Sequence, residues 1–214
     1  MSPVTGAFIT FEGGEGAGKS TQLRLVAEAL RQKGHDVLTT REPGGSPGAE
    51  ALRTLLLFGE AELSPRAEIM THFAARCDHI DRVIVPALNA GRIVLCDRFS
   101  DSTMAYQGYG RAGGEADTLE MIRDLQKLIK ISPDLTLLFS ASPEVARKRL
   151  EGRGGATDRY ETAGLAFHER VRHGFEQISA QSPARFRHIE TDGRAIPEVT
   201  EIAAEMILTF LRTR

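Results

Sequence analysis

The run Gly13-Gly14-Glu15-Gly16-Ala17-Gly18-Lys19-Ser20, followed by Thr21, constrains this chain more than any other stretch. It fits G-x-x-x-x-G-K-[ST], a loop whose glycines let backbone N–H groups wrap a phosphate chain at the positive end of a helix. The flanks carry the order the motif needs. Phe8-Ile9-Thr10-Phe11 reads as a short buried strand, and Leu23, Val26, Ala27 and Leu30 recur at i, i+3, i+4 and i+7, one apolar helix face that Gly34 terminates. Strand, glycine loop and helix therefore follow one another, and the stretch is expected to bind a nucleoside triphosphate. Lys19, expected to lie open to ligand rather than packed, would reach the β- and γ-phosphates, and the Ser20 hydroxyl would ligate Mg²⁺.

Apolar segments alternate through the rest of the chain. Asp36-Val37-Leu38-Thr39-Thr40, Ile93-Val94-Leu95-Cys96, Leu135-Thr136-Leu137-Leu138-Phe139 and Arg187-His188-Ile189-Glu190-Thr191 read as further strands, the last polar enough for a sheet edge. Helices are expected at about 49–57, over 66–88 behind the Ser64-Pro65 cap, from 117 to about 131, after the Ser142-Pro143 cap, and at about 197–211. This alternation predicts an α/β fold, a parallel five-stranded sheet flanked by helices, as a single P-loop domain across 1–214. The Arg- and Gly-rich stretch at about 150–164 has the composition of a mobile lid.

Composition narrows the partners. A net charge of −2 gives no electrostatic footprint for a nucleic-acid polymer, so a nucleotide partner is expected to be small. No apolar run approaches a membrane span, and Met-Ser-Pro-Val-Thr-Gly has neither the basic nor the apolar part of a secretory leader. The two cysteines, Cys77 and Cys96, form no disulfide or metal pattern, and both are expected to be buried free thiols. A cytoplasmic enzyme is the expectation.

Asp97 ends an apolar strand, the position of a carboxylate that helps hold Mg²⁺ in phosphate-loop enzymes. Arg41, Arg53, Arg76, Arg98, Arg147, Arg149, Arg153 and Arg159 cluster in segments expected to face one crevice. A transferase moving a phosphoryl group must hold two polyanions close together, which bidentate guanidinium groups do well. Closure of an Arg-bearing lid would exclude water, and with it hydrolysis in place of transfer.

Phe11-Glu12-Gly13-Gly14-Glu15-Gly16-Ala17-Gly18-Lys19-Ser20-Thr21, Arg41-Glu42-Pro43-Gly44-Gly45, and Asp97-Arg98-Phe99 through Ser102-Thr103-Met104-Ala105-Tyr106-Gln107-Gly108 resemble bacterial thymidylate kinase, over nearly the whole chain. The resemblance implies ATP + dTMP → ADP + dTDP, with Mg²⁺, in a homodimer formed through the long helices. It implies that Lys19, Arg98 and a lid arginine stabilise the transferring group, and that Arg53 and Arg98 clamp the dTMP phosphate. Glu15 would accept from the sugar 3′-OH, Glu42 and Pro43 would shape the acceptor-phosphate side, and Ser102, Thr103 and Gln107 would join the acceptor site. Tyr106 would pack on the deoxyribose where a ribose hydroxyl would clash, and Arg76 would meet the thymine carbonyl edge.

Glu15-Gly16 brings no basic residue into the loop, which resembles the subtype with a catalytic lid arginine. Arg153 is the first candidate for it, with Arg149 or Arg159 able to share or take the role, and Arg149 and Arg153 are placed toward ATP. The family usually has a stacking Phe four residues before the base-contacting Arg. Here that position is His72, with Phe73 beside it, and either ring is spaced to stack. Two other readings stand beside this one: another small-acceptor phosphate-loop kinase, and a nucleotide-dependent binding module. The chain lacks the Asn-Lys-x-Asp motif usual in the GTPase kind of module.

Overall fold

The computed structural model describes residues 6–152, 159–160 and 163–213. Arg153 and most of the expected lid lie outside the described residues. The β-branched and apolar runs form β1 (Ala7–Glu12), β2 (Val37–Arg41), β3 (Ile93–Asp97), β4 (Leu135–Ser140) and β5 (Phe186–Glu190). They make one sheet in the order β2-β3-β1-β4-β5, with every described pairing parallel. β1 is buried at all its residues, as a central strand covered on both faces must be. β5 closes one edge, with Phe186 and Ile189 buried and Arg187, His188 and Glu190 exposed.

Helix α1 (Lys19–Gln32) packs its Leu23, Val26, Ala27 and Leu30 face with β1 and with α9 (Ile196–Thr213) into one core cluster. Phe11 and Phe139 stack within it, ring centroids 5.4 Å apart. The other face of the sheet is covered by α2 (Pro47–Phe58), α3 (Pro65–His79), α4 (Val85–Asn89), α5 (Ser100–Thr103), α6 (Ala116–Leu128) and α8 (Leu165–Gln181). α7 (Pro143–Glu151) follows β4 and starts on the Ser142 cap, whose Oγ accepts from the Val145 N–H.

Three expectations need correction. The helix expected over 66–88 is interrupted at Ile80–Ile84 by a wider π turn, in which the Val85 N–H reaches the Ile80 carbonyl. Pro86 has no N–H and would press on the carbonyl four residues back, which a wider turn relieves. Cys77 is exposed, on a helix whose buried stripe is Glu68, Ile69, His72, Phe73, Ala75, Arg76 and His79; only Cys96 is buried. The sequence reading assigned no helix to α8, because Leu165, Phe167, Val171, Phe175 and Ile178 are spread among charged residues and a glycine.

α8 packs against a second π segment, Met104–Arg111, and two glycines make that contact possible. A Cβ at Gly174 would lie 2.8 Å from Tyr109, and one at Gly110 would lie 2.7 Å from Phe167. Phe167 and Phe175 thereby stand at 6.0 and 6.3 Å from the Tyr106 ring and fix it from behind.

Candidate active site

Parallel register sets the floor of the site. Phe11 and Arg41 both pair with Asp97, so β1, β2 and β3 end at one level. The next residues leave together: the Glu42 N–H donates to the Asp97 carbonyl, and the Arg98 N–H to the Phe11 carbonyl. Ligands of open α/β sheets bind at such carboxyl ends. A cleft there is lined by Glu15, Lys19, Ser20, Arg41, Glu42, Pro43, Arg53, His72, Arg76, Asp97, Arg98, Ser102, Thr103, Tyr106 and Gln107 among the residues the sequence singled out. Phe73 does not line it. Its ring lies buried beneath the Arg76 guanidinium, 4.7 Å from centroid to Cζ.

The phosphate loop from Gly13 to Gly18 turns tightly enough to require glycine. Gly16 has φ +71, and a Cβ there would lie 2.5 Å from the Ala146 carbonyl of α7. Ala17 is buried beneath the loop, and Gly18 precedes the first turn of α1, where Ser20 and Thr21 are exposed at the surface. Lys19, contrary to the expectation of an open side chain, is 5% exposed, with Nζ donating to the Gly14 carbonyl at 2.6 Å. Burial and the Arg98 charge push its ammonium down to about 8, opposed by Glu15, Asp97 and Glu12. Ser20 Oγ donates to Asp97 Oδ2 at 2.5 Å, while Asp97 Oδ1 is buried with no hydrogen-bond partner among the described residues.

Arg98 takes a left-handed backbone, φ +67, which turns its side chain back over the loop. Nη1 donates to the Gly13 carbonyl at 3.0 Å and to Ser102 Oγ at 3.1 Å; Nη2 donates to Glu15 Oε1 at 2.5 Å and to Tyr106 Oη at 3.0 Å. Glu15 Oε1 also accepts from the Tyr106 hydroxyl at 2.9 Å. Burial alone would raise the Glu15 carboxyl, but Arg98, Lys19 and the Tyr106 hydrogen bond hold it down at about 2. Below this group Glu12, which the sequence left without a role, accepts from the Phe99 N–H at 2.7 Å and from Ser102 Oγ at 2.6 Å.

The far wall is a buried polar stripe on α3. Arg76 Nε donates to Glu42 Oε2 at 2.7 Å and Nη2 to Thr103 Oγ1 at 3.0 Å, leaving Nη1 buried with no hydrogen-bond partner among the described residues. Glu42 Oε1 is held in turn by His79 Nδ1 at 3.0 Å, and His79 Nε2 meets Thr40 Oγ1 at 2.6 Å. Burial and the charges of Arg76, Arg111 and Arg159 push the His72 imidazole down to about 3, so it is neutral. Gln107 Nε2 donates to Glu68 Oε1 at 2.8 Å. Glu68, unmarked in the sequence reading, was legible in principle: Glu68, His72 and Arg76 repeat at i, i+4 and i+8 on a face where apolar residues belong.

The expected arginines separate. Arg53 donates to the Pro43 carbonyl at 2.8 Å on the cleft wall. Arg149 lies on the loop's other side, donating to the Gly16 carbonyl at 3.2 Å and to Thr191 Oγ1 at 2.8 Å. Arg159 is turned toward the far wall, 3.7 Å from Glu68 Oε2, and Arg147 pairs with Glu151 in solvent. No described helix is long and apolar enough to cross a membrane.

Known proteins resemble this chain along most of its length. The family model for thymidylate kinase matches residues 11–201. A thymidylate kinase of Gluconobacter oxydans is 56% identical, over 92% of this chain and 92% of its own. One from Caulobacter vibrioides is 50% identical over 96% and 98%. A crystal structure of thymidylate kinase from Ehrlichia chaffeensis superposes with a TM-score of 0.76 at 33% identity, covering 95% of this chain and 98% of that one. Loop, arginine-bearing β3 end and polar wall thus sit in a framework shared along nearly the full length, and the chain belongs to the thymidylate kinase family.

Proposed function

We propose that the chain transfers the γ-phosphoryl group of ATP to the phosphate of dTMP, giving ADP and dTDP. One observation carries the reading. A single guanidinium, Arg98, touches the phosphate loop through Gly13 and Glu15 and the opposite wall through Ser102 and Tyr106. A cation there lies between the places for two polyphosphates, and charge shared between them stabilises a phosphoryl group in flight.

The remaining roles follow from chemistry. The phosphate loop, Thr21 and Arg149 hold ATP, and Lys19 follows its β- and γ-phosphates. Arg53 and Arg98 clamp the acceptor phosphate, with Glu42 and Pro43 shaping that side. Glu15 receives the 3′-hydroxyl and Tyr106 packs on the deoxyribose. Gln107 Nε2 is directed away, donating to Glu68 at 2.8 Å and Tyr160 at 3.0 Å, which leaves its carbonyl as an acceptor. That acceptor and the unpaired Nη1 of Arg76 suit an N–H beside a carbonyl, as on thymine, and oppose the amino group of cytosine. His72, on the cleft wall, is the stacking ring, and Phe73 supports Arg76 from behind. Arg153 is assigned the catalytic lid role, outside the described residues.

The adjacent Ser20 hydroxyl and the unpartnered Asp97 Oδ1 fit Mg²⁺, which needs few protein ligands when phosphates and waters supply the rest. Held by these two side chains, the ion would supply charge neutralisation to the triphosphate. We assign the chain to the cytoplasm, in keeping with unpaired thiols, and to a homodimer, in keeping with exposed Leu55, Phe58 and Met70 on α2 and α3.

ADP release across dTMP, dUMP, ribose TMP, dCMP, dGMP, AMP and shikimate tests the reaction. Strong turnover with dTMP and weak turnover with the ribose analogue is the expected result. A preferred acceptor other than dTMP would overturn the base assignment, and ATP binding without transfer to any acceptor would overturn the reaction.

A further inference from the structure

Tyr160 was not among the expected site residues, yet its side chain completes the far wall of the cleft and is 6% exposed. Its hydroxyl donates to Glu68 Oε1 at 2.9 Å, receives Gln107 Nε2 at 3.0 Å, and lies 3.1 Å from His72 Nε2. The ring is pinned as well, stacked on Phe167 at 6.4 Å and edge-on to Tyr106 at 5.5 Å.

A phenol has one proton and two acceptor sites. Glu68 is a carboxylate faced by Arg111 at 3.3 Å and Arg159 at 3.7 Å, and it can only accept. The phenolic proton therefore goes to Glu68. Gln107 must then present its amide N–H₂ to Tyr160 and Glu68, since a flipped amide would set its carbonyl against the carboxylate. His72 must donate from Nε2 to the remaining acceptor site of the phenol. A neutral imidazole with its proton on Nε2 keeps Nδ1 as an acceptor.

We propose that Tyr160 is a positioning residue for base selection: with Glu68, its hydroxyl fixes the direction of the Gln107 amide, and it sets the tautomer of His72. The proposal deepens the dTMP reading and rests on it for the identity of the base. Loss of the hydroxyl removes one of the two groups that hold the amide, Glu68 being the other, and frees the imidazole to exchange its proton. The flipped amide, a donor in place of an acceptor, is then less strongly disfavoured, and a base with an amino group beside a ring nitrogen is refused less strongly, by Arg76 Nη1 and the remaining Glu68 contact.

The test is Tyr160→Phe, which keeps the ring packing, with His72→Phe as its companion. In Y160F the KM for dTMP is expected to rise about tenfold while kcat falls less, the scale of one or two buried hydrogen bonds. The ratio of kcat/KM for dTMP over dCMP is expected to fall by about tenfold or more. Imidazole ¹⁵N shifts of His72 should report a proton on Nε2 in the unaltered protein and a mixed tautomer in Y160F. A merely structural role would lower Tm and leave both the ratio and the ¹⁵N pattern unchanged, which would overturn the proposal. In H72F the discrimination should largely survive, because Tyr160 still orients Gln107; collapse there equal to that in Y160F would move the selective role to His72. The NMR readout is independent of substrate. Failure of the unaltered protein to prefer dTMP would therefore overturn the reaction reading while the ¹⁵N result still judges the contact.

Discussion

Arg76 and Glu42 form an ion pair at 2.7 Å with each side chain only 3% exposed, joining α3 to the turn that follows β2. Removing one member of a buried pair leaves the other charged and unsolvated, at a cost of about 3–5 kcal/mol. Glu42→Ala should therefore lower stability by that order in chemical denaturation. Glu42→Gln, which can still accept from Arg76 and bond His79, should cost less. Because Glu42 also aims Arg76 Nη1, the KM for dTMP should rise in both variants. A Glu42→Ala protein of unaltered stability would show that the pair contributes nothing net.

Lys19 gives a prediction about protons. Its ammonium is held down at about 8 by burial and by Arg98. Phosphate oxygens arriving at Nζ favour the charged form and raise that value. At pH 8 roughly half of the free protein lacks this proton, so ATP binding should take up about half a proton per site. Calorimetry at pH 8 in two buffers of different ionisation enthalpy should give enthalpies that differ accordingly, and the difference should vanish near pH 6. Identical enthalpies at pH 8 would contradict a depressed Lys19.

Glu12 makes the opposite kind of linkage. It is fully buried, and burial together with the Asp101 charge raises its carboxyl from 4.5 to about 8. A raised value in the folded state means that folding holds a proton which the unfolded chain releases above 4.5. Its contribution to stability is complete below that value and is lost as pH rises through 8. Glu12→Gln keeps both hydrogen-bonding positions, toward Phe99 N–H and Ser102 Oγ, without the titration. Denaturation at pH 5 and pH 8 should show a larger loss in the unaltered protein than in E12Q. Equal losses would mean that Glu12 is ionised in the fold.

The sheet and the phosphate loop were legible because their signals are local. A glycine run between a buried strand and an amphipathic helix admits few structures, and β1, α1 and β3 fall within a residue or two of their expected bounds. The far wall was harder, since its meaning depends on partners distant in the chain. Glu68 acquires its role from Gln107 and Tyr160, and Arg76 from Glu42 and Thr103. Spacing identified Arg98 as a strand-end arginine, but its positive φ, which turns it over the loop, leaves no mark on composition. The π turns were equally silent, although Pro86 offered a hint for the first.

The neighbours His72 and Phe73 were equivalent in the sequence, and the structure separates them. Phe73 is 3% exposed in the cluster with Ile69, Leu56 and Leu57, beneath Arg76 and off the cleft. His72 lines the cleft and is held by Tyr160 at 3.1 Å. Phe73→Leu should therefore act mainly on the fold, costing about 1–1.5 kcal/mol, with KM for dTMP changed by less than about threefold where the protein is folded. His72→Ala removes a wall of the cleft proposed to take the base and should raise that KM by about tenfold or more. Tm and KM measured on both variants separate the roles. A larger KM effect from Phe73→Leu than from His72→Ala would make Phe73 the ring that meets the base, and would require α3 to turn when substrate binds.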